Sequence, residues 1–585
     1  MRSRTLRLAV AGFALVGLAQ DETERNAVQG PESRLPNLVN SPGLSTERQW
    51  LLAREISAHS SVSDGLQFKN VARQAGIDFI LENCPTKRKY LPETMPGGVA
   101  TFDYDGDGLT DIYFTNGASL PDLKKDSPRY ANRLYRNLGN FKFRDVTEKA
   151  GLAGAGYSMG AAAADYDNDG HVDLFVAGVG RNILYRNRGN GTFEDVTAKS
   201  GIKNEIWSIG GAWFDYDNDG LLDLFIVNYV KWSPELDRFC GDSTGQVRVY
   251  CHPKFFDGLA NRLYHNQGNG VFKDVSEESG IGKHIGKGMA AAIADYDHDG
   301  FADVFVTNDK MPNFLFHNLR NGRFEEVAFQ SGVALTDSGA EISSMGADFR
   351  DFNNDGLPDI AITALSGETF PLFKNRGNGQ FLDIGYSSHM ANMSRAYSGW
   401  SLGVFDLNNN GLKDIFTANS HANDRVEAYE ATEYKQNNGV FLNTGDGIFR
   451  DVSEAAGLSV AAAHRGCAFA DFDNDGRLDV VVSALGAPAE LWQNVSTTDN
   501  TWIIFRLRGT RSNRVGIGAR IRVGTQYNHM TTAVGYASTS HFGVHFGTGK
   551  LNQVEQVTVD WPSGVQQKLK NVRTNQILNV EEPPQ

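Results

Sequence analysis

A nine-residue pattern, D-x-[DN]-x-[DN]-G-x-x-D, recurs seven times between residues 103 and 479. Repetition on this scale restricts the fold more than any single motif could. The first copy is Asp103, Asp105, Asp107, Gly108, Asp111 and the second Asp165, Asp167, Asp169, Gly170, Asp173. The third is Asp215, Asp217, Asp219, Gly220, Asp223, and the fourth Asp295, Asp297, Asp299, Gly300, Asp303. Asp351, Asn353, Asp355, Gly356, Asp359 and Asp406, Asn408, Asn410, Gly411, Asp414 follow, then Asp471, Asp473, Asp475, Gly476, Asp479. A hard cation such as Ca²⁺ takes about six to eight oxygens at ~2.3–2.6 Å. Carboxylates at positions 1, 3 and 5 supply them from one side of a tight turn. The Gly at position 6 permits the reversal, the carbonyl of position 7 adds a backbone ligand, and the Asp at position 9 closes the cage. The reading is up to seven Ca²⁺ sites, the Asp406 loop being the weakest because it holds two carboxylates where five others hold four.

Strands, not helices, flank these loops. Gly/Ala-rich apolar runs such as Met159 to Ala164 and Met289 to Ala294 precede them, and β-rich runs such as Leu224 to Val227 and Val480 to Val482 follow. Short apolar runs bounded by Gly and Asp predict buried strands. Two further phrases recur downstream. One is N-x-L-[YF]-x-N-x-G-N-G-x-F, as in Asn132 to Phe141, Asn182 to Phe193, Asn261 to Phe272 and Asn313 to Phe324. The other is F-x-D-V-[TS]-x-x-[AS]-G, as in Phe143 to Gly151 and Phe449 to Gly457. The same phrase at Phe68 to Gly76 stands before the first acidic loop. Four short strands per unit predict propeller blades, here seven around an axis. A linear β-solenoid is the alternative, but its repeats are shorter and need capping units.

These loops and flanks resemble the FG-GAP/VCBS repeats of integrin-type propellers. Asn513 to Arg520, Phe542 to Gly547 and Val557 to Gly564 resemble an ASPIC/UnbV domain. The order is that of the cartilage acidic protein-like family. The resemblance implies an all-β chain: a seven-bladed β-propeller with calcium loops, then a small all-β C-terminal domain. The expected organisation is a signal peptide over 1–19, a polar leader over 20–65, the propeller over 66–497 and the ASPIC/UnbV domain over 501–582.

Compartment follows from the N-terminus. Arg2, Arg4 and Arg7 precede an apolar run from Leu8 to Leu18 and a small-residue site at Gly17-Leu18-Ala19, the pattern of a secretory signal peptide. A secreted, periplasmic or cell-surface, monomeric protein is expected, with no membrane span. The formal charge of −14 comes from 70 acidic and 56 basic residues. Seven divalent ions would offset it, so the acidity belongs to the loops. With no basic stripe, nucleic-acid binding is not expected.

Of four cysteines, Cys240 and Cys251 share one insertion, Tyr229 to Gly258, and are expected to be bonded. Cys84 and Cys467 precede the first and seventh loops, so either they staple the ring or they remain two buried thiols. Sequons occur at Asn190, Asn392 and Asn494.

Length variation concentrates on the propeller face opposite the acidic loops: Asp78 to Met95, Gly117 to Tyr130, Tyr229 to Gly258, Gly385 to Gly399 and His421 to Gly439. Long loops on a rigid scaffold commonly carry binding. Glu93, Tyr157, Trp207, Lys287, Glu341, Tyr397 and Arg465, each just upstream of an innermost strand, are expected to ring a central funnel there, or else to cap the axis. His171 and His298, within the acidic loops, are expected to point outward. No Walker or H-E-x-x-H motif occurs. The leading expectation is recognition of an extracellular protein or glycan through the loop-rich face. The alternative is an enzyme of small-molecule or natural-product metabolism with its site in the funnel.

Overall fold

The computed structural model describes residues 63–203, 206–241, 247–445 and 447–584. The signal peptide and most of the leader lie outside them. Seven blades of four antiparallel strands form the bulk of the protein, the first extended to a six-stranded sheet by two strands from the C-terminal part. Their innermost strands are Val99–Phe102, Tyr157–Ala164, Ser208–Phe214, Gly288–Ala294, Ala347–Arg350, Gly399–Phe405 and His464–Ala470. Each packs against its neighbours in turn, and the last packs against the first. The faces buried between blades are aromatic and aliphatic, as in the stack of Tyr166 on Trp213 at 5.8 Å. No described helix is long and apolar enough to cross a membrane.

Backbone pairing closes the ring. In six blades the outermost strand is the F-x-D or F-x-E phrase, for example Phe143–Asp145 and Phe449–Asp451. The seventh borrows it: Phe68–Asn70 pairs antiparallel with Glu490–Asn494, Phe68 opposite Asn494. The early copy of the phrase is therefore the outermost strand of the last blade. Cys84 and Cys467 are not bonded to each other. Cys467 is fully buried on an innermost strand beside Ser401, whereas Cys84 lies in a connection beside Tyr130. Cys240 and Cys251 are bonded, closing a loop of sequence separation 11.

The C-terminal residues build two sheets, one of Val544–Gly549, Thr501–Arg508 and Gln576–Glu581, the other of Gln526–His529, Arg520–Val523, Gln553–Asp560 and Gln566–Arg573. They lie on the face of the acidic loops. Arg506 donates to the Gly108 carbonyl at 3.2 Å, the Arg514 amide to Asn168 at 2.8 Å, and Arg520 pairs with Asp295 at 3.0 Å. His298 is correspondingly covered, its ring 5.3 Å from Tyr527, where the sequence suggested an outward side chain.

Between these sheets the chain leaves as a narrow hairpin, Ala533–Val534 and Ser538–Ser540, and enters the propeller axis. Ser538–Ser540 pairs parallel with the first blade's innermost strand, Ala100 opposite Thr539. Ala161 donates to the Ala537 carbonyl at 3.1 Å, Gly535 to Ala347 at 2.8 Å, and Phe469 to Ser540 Oγ at 2.9 Å. Tyr536 at the tip reaches through the ring, donating to the Met95 carbonyl at 2.7 Å. The Gly/Ala-rich runs that the sequence shows before the acidic loops are these innermost strands. The hairpin crowds them: a Cβ on Gly98 or Gly160 would lie 2.2 or 2.9 Å from the Ala537 carbonyl oxygen.

Glu582 anchors the end of the chain. It is buried, which raises a carboxyl pKa, but accepts hydrogen bonds from Ser563 and from the amides of Thr510, Arg511 and Ser512, and the net effect lowers it to about 2. A depressed folded pKa stabilises the protein above the unfolded value of about 4.3 and is lost as pH falls towards about 2. Glu582→Gln should therefore lower stability at pH 7 by about 2 kcal/mol and flatten the acid limb between those values. Equal acid denaturation of variant and parent would contradict this role.

Candidate metal loops and the opposite face

Each acidic loop is held in one conformation by its own backbone. The position-6 glycine has φ between 83° and 95° in all seven copies, where a Cβ is strained. Position 4 is also left-handed, as at Asn168, Asn218, His298, Asn354, Asn409 and Asn474, with Gly106 in the first loop. The Asn and Gly at that position were a legible signal that pattern matching on the acids passed over.

The carboxylates divide their work. Position 1 accepts the amide of the position-6 glycine at 2.6–3.0 Å in every loop. Position 9 is buried in every loop and accepts the amide of position 2. Burial raises these carboxyls, to about 6 at Asp165 and Asp295, about 7 at Asp406 and Asp471, and about 8 at Asp215. Oxygens of Asp103, Asp105 and Asp111 lie within 4.8 Å of one another, as do those of Asp165, Asp167 and Asp173, and of Asp215, Asp217 and Asp223. Oδ1 of Asp105, Asp167, Asp217 and Asp351 is buried without a hydrogen-bond partner. Clustered hard oxygens, some buried and unpaired, fit a dication.

Partners from the third strand differ between blades. Arg136 bridges Asp105 and Asp107, and Arg186 bridges Asp167 and Asp169. His265 and His317 stand 3.2 Å from Asp223 and Asp303. Among the described residues the sixth loop has no such partner. Instead buried Lys413 donates to the Asp351 and Tyr527 carbonyls at 2.7 and 3.0 Å, close enough for its charge to act on Asp406.

Seven asparagines missed in the sequence join these loops. Asn137, Asn187, Asn266, Asn318, Asn375, Asn443 and Asn494 end the third strands. Each amide N–H donates to its own position-9 Asp at 2.7–2.9 Å. Each side-chain Nδ2 donates to the position-2 carbonyl of the preceding blade, also at 2.7–2.9 Å. Their signal was present, the last Asn of N-x-L-[YF]-x-N. Asn494 is one of them and is buried, so that sequon is not accessible, while Asn190 and Asn392 are exposed.

The seven residues placed around a funnel do not form one ring. Arg465 is fully buried, 4.0 Å from the Trp400 ring, and donates to the Thr94 and His464 carbonyls and to Ser420. Tyr157 donates to the Asn83 carbonyl at 2.9 Å. Trp207 packs on Tyr229 at 5.2 Å, and Lys287 is buried, which lowers its pKa. Glu93 is buried and raised, accepting from Thr86, Tyr90 and Tyr250. Glu341 is exposed, and Tyr397 turns to Asp451 on an outermost strand. These side chains seal the axis or brace connections. Three long connections meet above them: Lys89 pairs with Asp424 at 2.5 Å and lies 4.8 Å from the Tyr250 ring. The disulfide-closed insertion exposes Leu236, Phe239 and Phe255.

Comparison with known proteins follows this architecture. A family model described as FG-GAP-like repeat matches residues 103–176, 165–226, 239–306, 295–362, 351–417 and 425–482. One described as ASPIC and UnbV matches 509–585. Cartilage acidic protein 1 of Homo sapiens is 25% identical over 326 residues, covering 54% of this chain and 47% of that protein. The Xenopus tropicalis protein is 25% identical over 328 residues, covering 54% and 48%. The chain spans about half the length of these relatives. Among solved structures, YCF48 bound to D1 peptide is similar at TM-score 0.39 and 7% identity, covering 69% of this chain and 94% of that one. An Agrocybe aegerita lectin that recognises non-reducing terminal N-acetylglucosamine gives 0.35 and 17%, covering 70% and 92%. With the repeat pattern running from 103 to 482 and the second pattern completing the chain, the protein belongs to the family of FG-GAP-like repeat propellers that carry a C-terminal ASPIC and UnbV domain.

Proposed function

We propose that this is an exported, monomeric propeller, loaded with calcium, that recognises an extracellular protein or glycan through its loop-rich face. The observation that carries the reading is the insertion Tyr229 to Gly258. It is tied by Cys240–Cys251, and Leu236 and Phe239 are each 48% exposed and Phe255 41%. Arg238 and Lys254 lie 5.5 and 5.2 Å from the Phe255 ring. Exposed aromatics beside Arg, on a loop tied by a disulfide, are favourable anchors because the tie reduces the entropy lost on binding. The disulfide and the signal-like N-terminus support export. Unpaired carboxylate oxygens in the loops support calcium, which would cross-link each turn when bound.

Recognition is favoured over catalysis because residues 533–540 occupy the axis where a substrate would enter a funnel. Calcium-saturated protein screened against glycan arrays and matrix extracts should yield a binder. Phe239→Ser with Phe255→Ser should weaken that binding at least tenfold, about 1.4 kcal/mol or more, with an unchanged melting temperature. Full binding by this double variant would place recognition elsewhere.

A further inference from the structure

A cavity of about 230 Å³ lies between the third and fourth acidic loops and the C-terminal sheets. Its wall combines Tyr527, His529, Arg520, Trp561 and Asp560 with the apolar side chains of Ile293 and Met530. Gly564 and Gln566 on its rim are exposed, so it opens to solvent. Two wall residues carry buried polar atoms with no partner. Alternation along Gln526–His529 places Tyr527 and His529 on one side of the strand. Tyr527 is 3% exposed and its Oη is unpaired. His529 is 4% exposed, its Nε2 stands 3.0 Å from the Ile293 carbonyl, and its Nδ1 is unpaired. A carbonyl only accepts, so Nε2 carries the proton and Nδ1 is a bare acceptor. Burial keeps this imidazole neutral.

An unpaired buried acceptor and hydroxyl are costly unless something in the cavity meets them. Charge narrows the chemistry. Arg520 is committed to Asp295, Asp215 accepts the amides of Asp219 and Gly220, and Gln566 donates to Asp560 at 2.8 Å, so the charged wall groups already have partners. What remains is a neutral acceptor, a phenol and the aromatic faces of Trp561 and Tyr527. We propose that this cavity is a binding site for a neutral, monosaccharide-sized polyol, one hydroxyl donating to His529 Nδ1 and another exchanging a hydrogen bond with Tyr527 Oη. A volume of this size suits a single pyranose and excludes a chain buried along its length. The site lies on the face away from the disulfide-closed insertion and does not depend on it.

The test uses the full-length, calcium-saturated protein titrated calorimetrically with glucose, galactose, mannose and N-acetylglucosamine, with inorganic phosphate as an anionic comparison. At least one sugar should bind and raise the melting temperature. Tyr527→Phe should reduce its affinity at least tenfold without lowering the melting temperature of the unliganded protein, since the lost hydroxyl has no protein partner. Gln566→Trp should obstruct the mouth from an exposed position and abolish binding with the fold intact. Phosphate binding without sugar binding, or no binding by any of the sugars at millimolar concentration, would overturn the proposal. So would sugar binding indifferent to both substitutions.

Discussion

Chelation of divalent ions should lower the melting temperature of this protein by about ten degrees, and Ca²⁺ should restore it. Without an ion, up to four carboxylates face one another in a turn whose geometry is fixed by backbone hydrogen bonds. At an ion concentration about twenty times Kd, each site contributes about 2 kcal/mol. Six such sites amount to about 10 kcal/mol, comparable with the whole stability of an ordinary domain. The seventh, the Asp406 loop, should fill last or not at all. It has two carboxylates, and the buried ammonium of Lys413 already supplies positive charge beside Asp406. Differential scanning calorimetry with and without chelator, and metal content by mass spectrometry, check both statements. A melting temperature unchanged after verified metal removal would refute the first. Tightest binding at the Asp406 loop would refute the second.

Loss of the axial hairpin should be comparably severe. Replacing residues 530–542 with a short Gly/Ser linker withdraws acceptors from the inner-strand amides of Val99, Ala161 and Phe469. Each buried donor left unmet costs about 1–3 kcal/mol, reduced wherever water enters. A gentler probe is Gly98→Val. Its Cβ would lie 2.2 Å from the Ala537 oxygen and 2.6 Å from the Gly160 Cα, both backbone atoms that cannot rotate aside. Overpacking of this kind costs several kcal/mol. By contrast Gly524→Ala, whose Cβ meets nothing within 4 Å, should cost only the ~1–2 kcal/mol of a left-handed backbone. If the deletion variant melted within two or three degrees of the parent, about 2–3 kcal/mol for a chain of this length, the hairpin would not be a structural element.

The acidic loops and the blades were legible because seven copies share one register. Two consequences of that register were not. The phrase at Phe68 to Gly76 was visible as a repeat, but its partner lies more than 400 residues away and only the sheet pairing assigns it to the last blade. The asparagines ending the third strands were visible only as a recurring letter, since a sequence records neither the preceding blade's carbonyl nor its distance. The hairpin at the axis left still less trace. Its residues are mostly Ala, Gly, Ser and Thr, chosen for narrowness, and small residues carry no periodic hydrophobic signal. The funnel residues failed for a different reason. Position upstream of an inner strand fixes where a Cα lies, not which way a side chain leaves it, and Tyr397 leaves towards an outermost strand.

The early strand that completes the last blade also sets a timetable. A ribosome or export channel delivers Phe68–Asn70 first, yet its pairing partner, Glu490–Asn494, arrives more than four hundred residues later. The axial hairpin emerges later again. Six blades can assemble locally as they appear, but closure requires bridging a very long chain separation, an entropic barrier that grows with the logarithm of loop length. Until then the first strand waits as an unpaired edge, open to pairing with another copy. A chain cut short near residue 480 would therefore yield an open ring with two unsatisfied ends, a self-associating product, and not a smaller version of the same protein.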